Sequence, residues 1–226
     1  LIERMKKALP KLALPKIGKD GRLMEWREER VEEDPGHRHI SQAYGFHPGN
    51  RFNVDDNPDL VDALKTTLRY RFGRGVEADY APGRLDWQQS WYLNMFARMR
   101  DKKLFERVYW DFQRMYMEPN LNSWWTTRPY VMDASGAVTA GMAEALMQSH
   151  AGEIHLLPCL PDMWPEGHFE GFRARGGVTV SAEWKAGSVT AKLVANHDGK
   201  FKVRYENNVK EVSLKKGKSF EVKFKR

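Results

Sequence analysis

Residues 153–167, EIHLLPCLPDMWPEG, decide how the chain is divided. Pro158, Pro161 and Pro165 each fix φ and remove a backbone donor, so neither a helix nor an interior strand runs unbroken through the segment. Upstream, apolar residues recur every three or four positions; downstream, they alternate. The spacing predicts a helical part over residues 1–150, then a crossover and a small antiparallel, sandwich-like β domain over residues 151–226.

In the helical part, Asn57 and Pro58 form a cap and first turn for a helix with Leu60, Leu64 and Leu68 four apart and Val61 and Phe72 beside them. Asp86 is placed to cap a second helix, with Trp87, Trp91, Met95 and Met99 on one stripe. After a polar break at residues 100–103, a third carries Leu104, Phe105, Val108, Phe112, Met115 and Tyr116. A fourth follows Ser135, with Val138, Met142, Leu146 and Met147. Each stripe reads as ordinary helix packing. The connections 73–85 and 117–133 are long and rich in Gly, Pro, Asn and Trp, the kind of loop on which sites sit.

Past the prolines, Phe201, Val203 and Tyr205 alternate with Lys200, Lys202 and Arg204, and Phe220, Val222 and Phe224 with Glu221, Lys223 and Lys225. That is a strand with one buried and one wet face. The net charge is +7, but residues from 171 onward hold 14 Lys/Arg against 5 Asp/Glu, so residues 1–170 carry −2. A basic β module for acidic polymers is one reading of that asymmetry. A solvated face is the better one, because the aromatics point into the sheet instead of standing among the cations as a stacking platform. No nucleic-acid partner is expected.

With 226 residues, 41% of them apolar, the chain has material for one large or two smaller domains. Mean hydropathy is −0.67. The most apolar helix-like run, residues 138–147, is broken by Glu144, well short of the ~20 residues of a membrane span. Cys159 is single, which rules out an internal disulfide and leaves the redox compartment open. The first residue is Leu and no secretory signal follows it, so the chain reads as a processed product or a piece of something longer.

Four groups are candidates for chemistry. His37, Arg38 and His39 combine a planar fork of donors with two imidazoles. A metal site, a clamp for sugar hydroxyls and a purely structural set of loop contacts all fit that triplet; zinc needs further ligands, and no Cys or His pair stands at finger-like spacing. No metal or cofactor is therefore expected. Asp133 precedes a helical run, where a helix cap and a catalytic carboxylate are both available readings. Trp124 and Trp125 offer flat faces for a sugar ring or anchors for their loop. Glu25, beside Trp26, adds a further carboxylate. The run REERVEED after Trp26 reads as solvated surface.

Several segments, in order, resemble the C-terminal portion of glycoside hydrolase family 95, the α-L-fucosidases and related α-L-galactosidases. They are KIGKDGRLMEW (16–26), DPGHRHISQAYGFHPGN (34–50), TAGMAEALMQSHAGEIHLLPCLPDMWPEG (139–167) and GFRARGGVTVSAEWKAG (171–187). The resemblance implies an (α/α)6 barrel, represented here by its C-terminal part, followed by a β domain. It implies inverting hydrolysis, in which one carboxylic acid protonates the leaving oxygen while a base activates water on the opposite face. The family's base Asp, in an aromatic-Gln-Ile-Asp-Gly-Asn-Phe-Gly segment, falls on Asp133 of YVMDASGA. Its His-Arg-His sugar contacts fall on His37, Arg38 and His39, with Arg38 and His39 the main pair.

Val131, Ala134 and Ser135 depart from the Gln, Gly and Asn that flank the base in the family, and Gln42 stands where its Ser-His-Leu-Tyr-Gly segment has His. WQQSWYLNMFARM (87–99) keeps both Trp, Asn94, Ala97 and Arg98 and differs between them. The family's general-acid Glu lies upstream of the first segment quoted. The expectation is thus a fragment of a fucosidase-type enzyme, inactive alone, whose partners are an oligosaccharide or polysaccharide substrate and the rest of its own barrel. An extracytoplasmic location follows from the family's habits. A non-catalytic carbohydrate-binding or structural remnant is the alternative.

Overall fold

A computed structural model describes residues 1–75, 78–82, 85–123 and 130–225, and among these it places five α-helices before eight β-strands. The chain divides into two units, Leu1–Ala81 and Pro82–Arg226, each with its own packing.

In the first unit, helix α1 (Ile2–Ala8) buries none of its residues; its seven residues were not foreseen, because no apolar stripe there has a packing partner. Helix α2 (Pro58–Phe72) follows the predicted stripe, with Leu60, Val61, Leu64, Leu68 and Phe72 buried. Pro58 opens it and Asn57 occupies the cap position, although its side chain makes no cap bond. Between the two helices runs a chain of turns anchored by Ile40, Phe46 and Phe52, each at most 1% exposed. The Lys-Asp-Gly turn closes a bridge between Ile17 and Leu23, and Gly21 adopts φ +77°, where a side chain is strained. Leu23 is pinned in turn by its amide donating to Thr67 Oγ1 of α2 at 2.9 Å.

The second unit is built on helix α3 (Asp86–Met99), flanked by α4 (Lys102–Met115) and α5 (Met132–Leu146). The single stripe expected of α3 understates its burial: Gln88, Gln89, Ser90, Asn94 and Arg98 are buried as well, and Trp87 and Trp91 are its less buried positions. Two structural neighbours leave it almost no wet face. Gly141 of α5 permits a close approach to α3, since a Cβ there would lie 2.9 Å from Leu93 Cδ2. Asp101 caps α4, accepting from the Leu104 amide at 3.0 Å. Three expected details are corrected. Asp86 is the first residue of α3, not its cap, which is Leu85. Neither Asp133 nor Ser135 caps α5, which begins at Met132 after an extended Val131 with no side-chain cap bond.

Strand β1 (Met147–Gln148) follows α5 directly, and β2 (Ile154–Leu156) precedes the prolines. The remaining strands are β3 (Glu166–Ala174), β4 (Val178–Lys185), β5 (Ser188–Ala195), β6 (Gly199–Tyr205), β7 (Asn208–Leu214) and β8 (Ser219–Lys225). They form two four-stranded sheets, β1-β2-β6-β7 and β3-β4-β5-β8, whose inner faces share one core that includes Leu156, Val180, Leu193, Val203 and Phe224. A helical part followed by a β domain is therefore what the chain folds into. The β domain is not wholly antiparallel. β2 and β6 pair in parallel, Ile154 opposite Val203, which is possible because three strands of the other sheet intervene and supply the long connection parallel pairing needs. Phe220, expected inside, is 40% exposed at the start of β8.

Candidate active site

In the first unit the chain turns at Asp34, whose carbonyl accepts from the His37 amide at 2.9 Å. The His39 amide then donates to His37 Nδ1 at 3.2 Å, and the two imidazoles stand with centroids 4.8 Å apart. Arg38 and His39 are exposed and His37 is half-buried. His39 holds its proton less readily than a free imidazole, first through desolvation and then through the charges of His37 and Arg38, with Glu25 opposing. His39 is thus biased to the neutral form, one donor and one acceptor, that suits a hydroxyl.

Glu25 is held beside this turn by two partners. The Ser41 hydroxyl donates to its carboxylate, and Arg71 of α2 lies 3.7 Å from it. Arg71, with a side chain only 3% exposed, also pairs with Glu32 at 3.3 Å and donates to the Asp34 carbonyl. Sequence reasoning missed Arg71, though its signal was there: it falls three residues after Leu68 on the buried face of α2. Glu32 corrects the reading of REERVEED as solvated throughout, because it is turned in to Arg71 and Arg22. Glu25 and Trp26 line a cavity of about 450 Å³ with Arg22, Glu29, Glu32 and Tyr70, and the Arg22 guanidinium covers the Tyr70 ring at 3.6 Å. Gln42 is 8% exposed, and among the described residues neither atom of its amide has a hydrogen-bond partner. No three metal-ligating side chains come together among the described residues.

In the second unit, Asp133 lies in the first turn of α5, exposed, with no hydrogen bond or ion pair to its carboxylate among the described residues. Ala134, beside it, is fully buried, so its extra methyl relative to glycine faces the protein. Ser135 is tied inward, 3.4 Å from Ser123 Oγ, which itself donates to the Val131 carbonyl at 3.0 Å. Trp124 and Trp125 lie outside the described residues. Asp86, also unrecognised from sequence beyond a capping role, is 0% exposed at the start of α3. The Asp133 carboxylate thus stands open to solvent at the start of α5, within reach of a water whose proton it could take.

A second cavity, about 470 Å³, is lined by Trp164, Trp184 and Tyr205 near the prolines. Its tryptophans are structural. The Trp184 indole N–H donates to the Trp164 carbonyl at 3.0 Å, and Trp164 packs edge-on against Phe105 and Tyr109.

Comparison with known proteins gives these positions their context. Residues 1–146 match the glycosyl hydrolase family 95 catalytic domain, and residues 148–226 match the glycoside hydrolase family 95 C-terminal domain. Alpha-L-fucosidase 2 of Arabidopsis thaliana is 34% identical over 199 residues, 84% of this chain and 22% of that protein. The probable alpha-fucosidase A of Aspergillus niger is 27% identical over 194 residues, 80% and 24% respectively. The probable alpha-fucosidase A of Aspergillus oryzae is 25% identical over 223 residues, 86% and 30%. The chain therefore spans between 22% and 30% of the length of these relatives. With both domain patterns matched in succession, the chain belongs to glycoside hydrolase family 95.

Proposed function

We propose that the protein carrying this chain is an inverting glycoside hydrolase of the α-L-fucosidase type, acting on fucosylated glycans or L-galactosides. Asp133 is the general base. The observation that supports this is its engagement: an aspartate that merely capped α5 would spend its oxygens on backbone amides, whereas this one is exposed and, among the described residues, uncommitted. Arg38, His39 and His37 contact sugar hydroxyls, Glu25 stands behind them, and Trp124 and Trp125 supply apolar wall. The helices belong to an (α/α)6 barrel whose remaining members, with the proton-donating acid, lie in the part of the relatives this chain does not span. By itself the chain has no turnover, and the enzyme works outside the cytoplasm.

In the reaction, Asp133 takes a proton from a water as that water attacks the anomeric carbon, while the acid protonates the departing oxygen. In the full-length protein, Asp133→Ala lowers kcat on an aryl α-L-fucoside by at least about 10²–10⁴-fold. Unchanged hydrolysis removes Asp133 from the mechanism. The first-formed anomer, followed by NMR, tests inversion: retained configuration refutes it.

A second reading, a carbohydrate-binding remnant, is favoured by Val131, Ala134, Ser135 and Gln42, all departures around the proposed site. Saturable fucose binding by the full-length protein with no turnover would establish it.

A further inference from the structure

Helices α3 and α5 run parallel. Asn94 Nδ2 donates to the Ala137 carbonyl at 2.7 Å, Arg98 to Glu144 Oε1 at 2.8 Å, and Gln148 Nε2 to the Ala97 carbonyl at 2.9 Å, so both sequences advance in the same direction. Their first turns, with Asp86 on one and Asp133 on the other, therefore lie at the same end. Ser123 stands at that end too, bonded to the Val131 carbonyl and beside Asp86. One oxygen of Asp86, Oδ1, accepts from the Trp87 amide at 2.8 Å. The other, Oδ2, is buried with no hydrogen-bond partner among the described residues.

We propose that Asp86 is a positioning residue for Asp133: the two are a coupled carboxyl pair, buried and exposed, in which Asp86 carries the proton and Asp133 the charge. The catalytic meaning of the pair rests on Asp133 as base. Two ionised carboxylates at one helix end repel, so the pair divides its protons unequally. Burial favours the protonated form of Asp86 most strongly; the Trp87 amide and Ser123 oppose it, and the negative charge of Asp133 adds to the effect of burial. At the end of α4, Tyr116 lies near both Asp86 and Asp111. The Tyr116 phenol is pushed up to about 12, by burial first and then by the charges of Asp86 and Asp111. Asp111 is paired with Arg107 at 3.1 Å. The cation on this side, Arg107, is engaged by Asp111, and among the described residues no cation appears in the set of groups that act on the Asp86 carboxyl. With its proton on the inner carboxyl, the pair presents one anion, at the exposed position where water reaches it.

The test is the carboxyl titration of the full-length protein labelled with ¹³C-aspartate, the Asp86 signal being assigned by its loss in Asp86→Asn. In the wild type that signal titrates above the ordinary aspartate range, and in Asp133→Asn, a surface change that leaves the fold intact, its midpoint moves down. The acid limb of the kcat/KM profile, set by Asp133, keeps its position in Asp86→Asn, because asparagine imitates the neutral acid. An Asp86 signal within the ordinary range, or one unmoved by Asp133→Asn, overturns the proposal. So does an acid limb that drops by about one unit, a tenfold change in proton affinity, since it shows that Asp86 was charged. If Asp86→Asn fails to fold, the shift of the one high-titrating signal on Asp133→Asn decides. Full hydrolysis by Asp133→Asn, with the titrations still coupled, refutes the base assignment and leaves the pair standing.

Discussion

Asp86 is a carboxyl that folding makes harder to ionise, and that has a consequence for stability with a definite sign. When the native state holds a proton more tightly than the unfolded chain, stability is complete below the unfolded-state pKa and declines as pH climbs through the native one. Asp86→Asn removes the decline while keeping an oxygen for the Trp87 amide. Urea unfolding should therefore find the variant more stable than wild type at pH 7, with the gap closing below about pH 4, near the ordinary aspartate value. A variant less stable at pH 7 would mean the carboxylate is charged and favoured in the fold. Arg71 is the opposite case, a buried cation between Glu25 and Glu32. Arg71→Ala leaves Glu25 with the Ser41 hydroxyl and Glu32 with Arg22 but removes the buried cation between them, and breaking a pair of this burial costs about 3–5 kcal/mol, readable in the same unfolding experiment. A loss under about 1 kcal/mol, the range of surface pairs, would show that the network is solvated instead.

Among the elements, what could be read in advance followed from periodicity. Leu60, Leu64 and Leu68 announced α2 because one face is wet and the other dry. For α3 the rule misled: with α4 and α5 on either side, Gln89 and Asn94 are as buried as Leu93, and polar residues at core positions blur the stripe. Asp133 and Ser135 look like caps and suggest a later start for α5, whereas the extended backbone at Val131 shows that the helix begins at Met132. Of the candidate site, the resemblance names Asp133, Arg38 and His39; Arg71 and Asp86 carry no such signal, since what distinguishes them is who lies beside them. The parallel pairing of β2 with β6 was hidden for the same reason. Packing between strands also yields a sharp test. Gly167 of β3 is opposite Trp184 of β4, and a Cβ there would come within 2.6 Å of the indole. The ring has nowhere to go, being 6% exposed and bonded to the Trp164 carbonyl. Gly167→Ala should cost about 1–3 kcal/mol through overpacking, measured as a lowered urea midpoint at unchanged slope. A midpoint equal to wild type would mean the sheet edge yields freely.

On the scale of the whole chain, the most visible sequence feature is an imbalance of charge, +9 in residues 171–226 against −2 before them. Whether it makes a polyanion surface depends on arrangement. Lys200 pairs with Glu211 at 3.4 Å, Lys185 with Glu166 at 2.7 Å, Lys215 with Asp198 at 2.8 Å and Lys223 with Glu221 at 2.9 Å. Across the ladders, Lys202 stands opposite Glu211 and Lys192 opposite Glu221. Each acid interrupts a row of cations that would otherwise track a sulfated or phosphorylated chain, and the strand aromatics Val203 flanks, Phe201 and Tyr205, are turned toward the sheet's inner side instead of outward for stacking. Counterion release then has few contacts to act through, and affinity for a polyanion should fall away at modest salt. On a heparin column the chain is expected to elute at or below about 0.15 M salt, where exposed charges are already screened beyond about 8 Å. Retention past roughly 0.5 M would require a cluster of cations acting together on the polymer, against the interleaving of acids and bases along these strands.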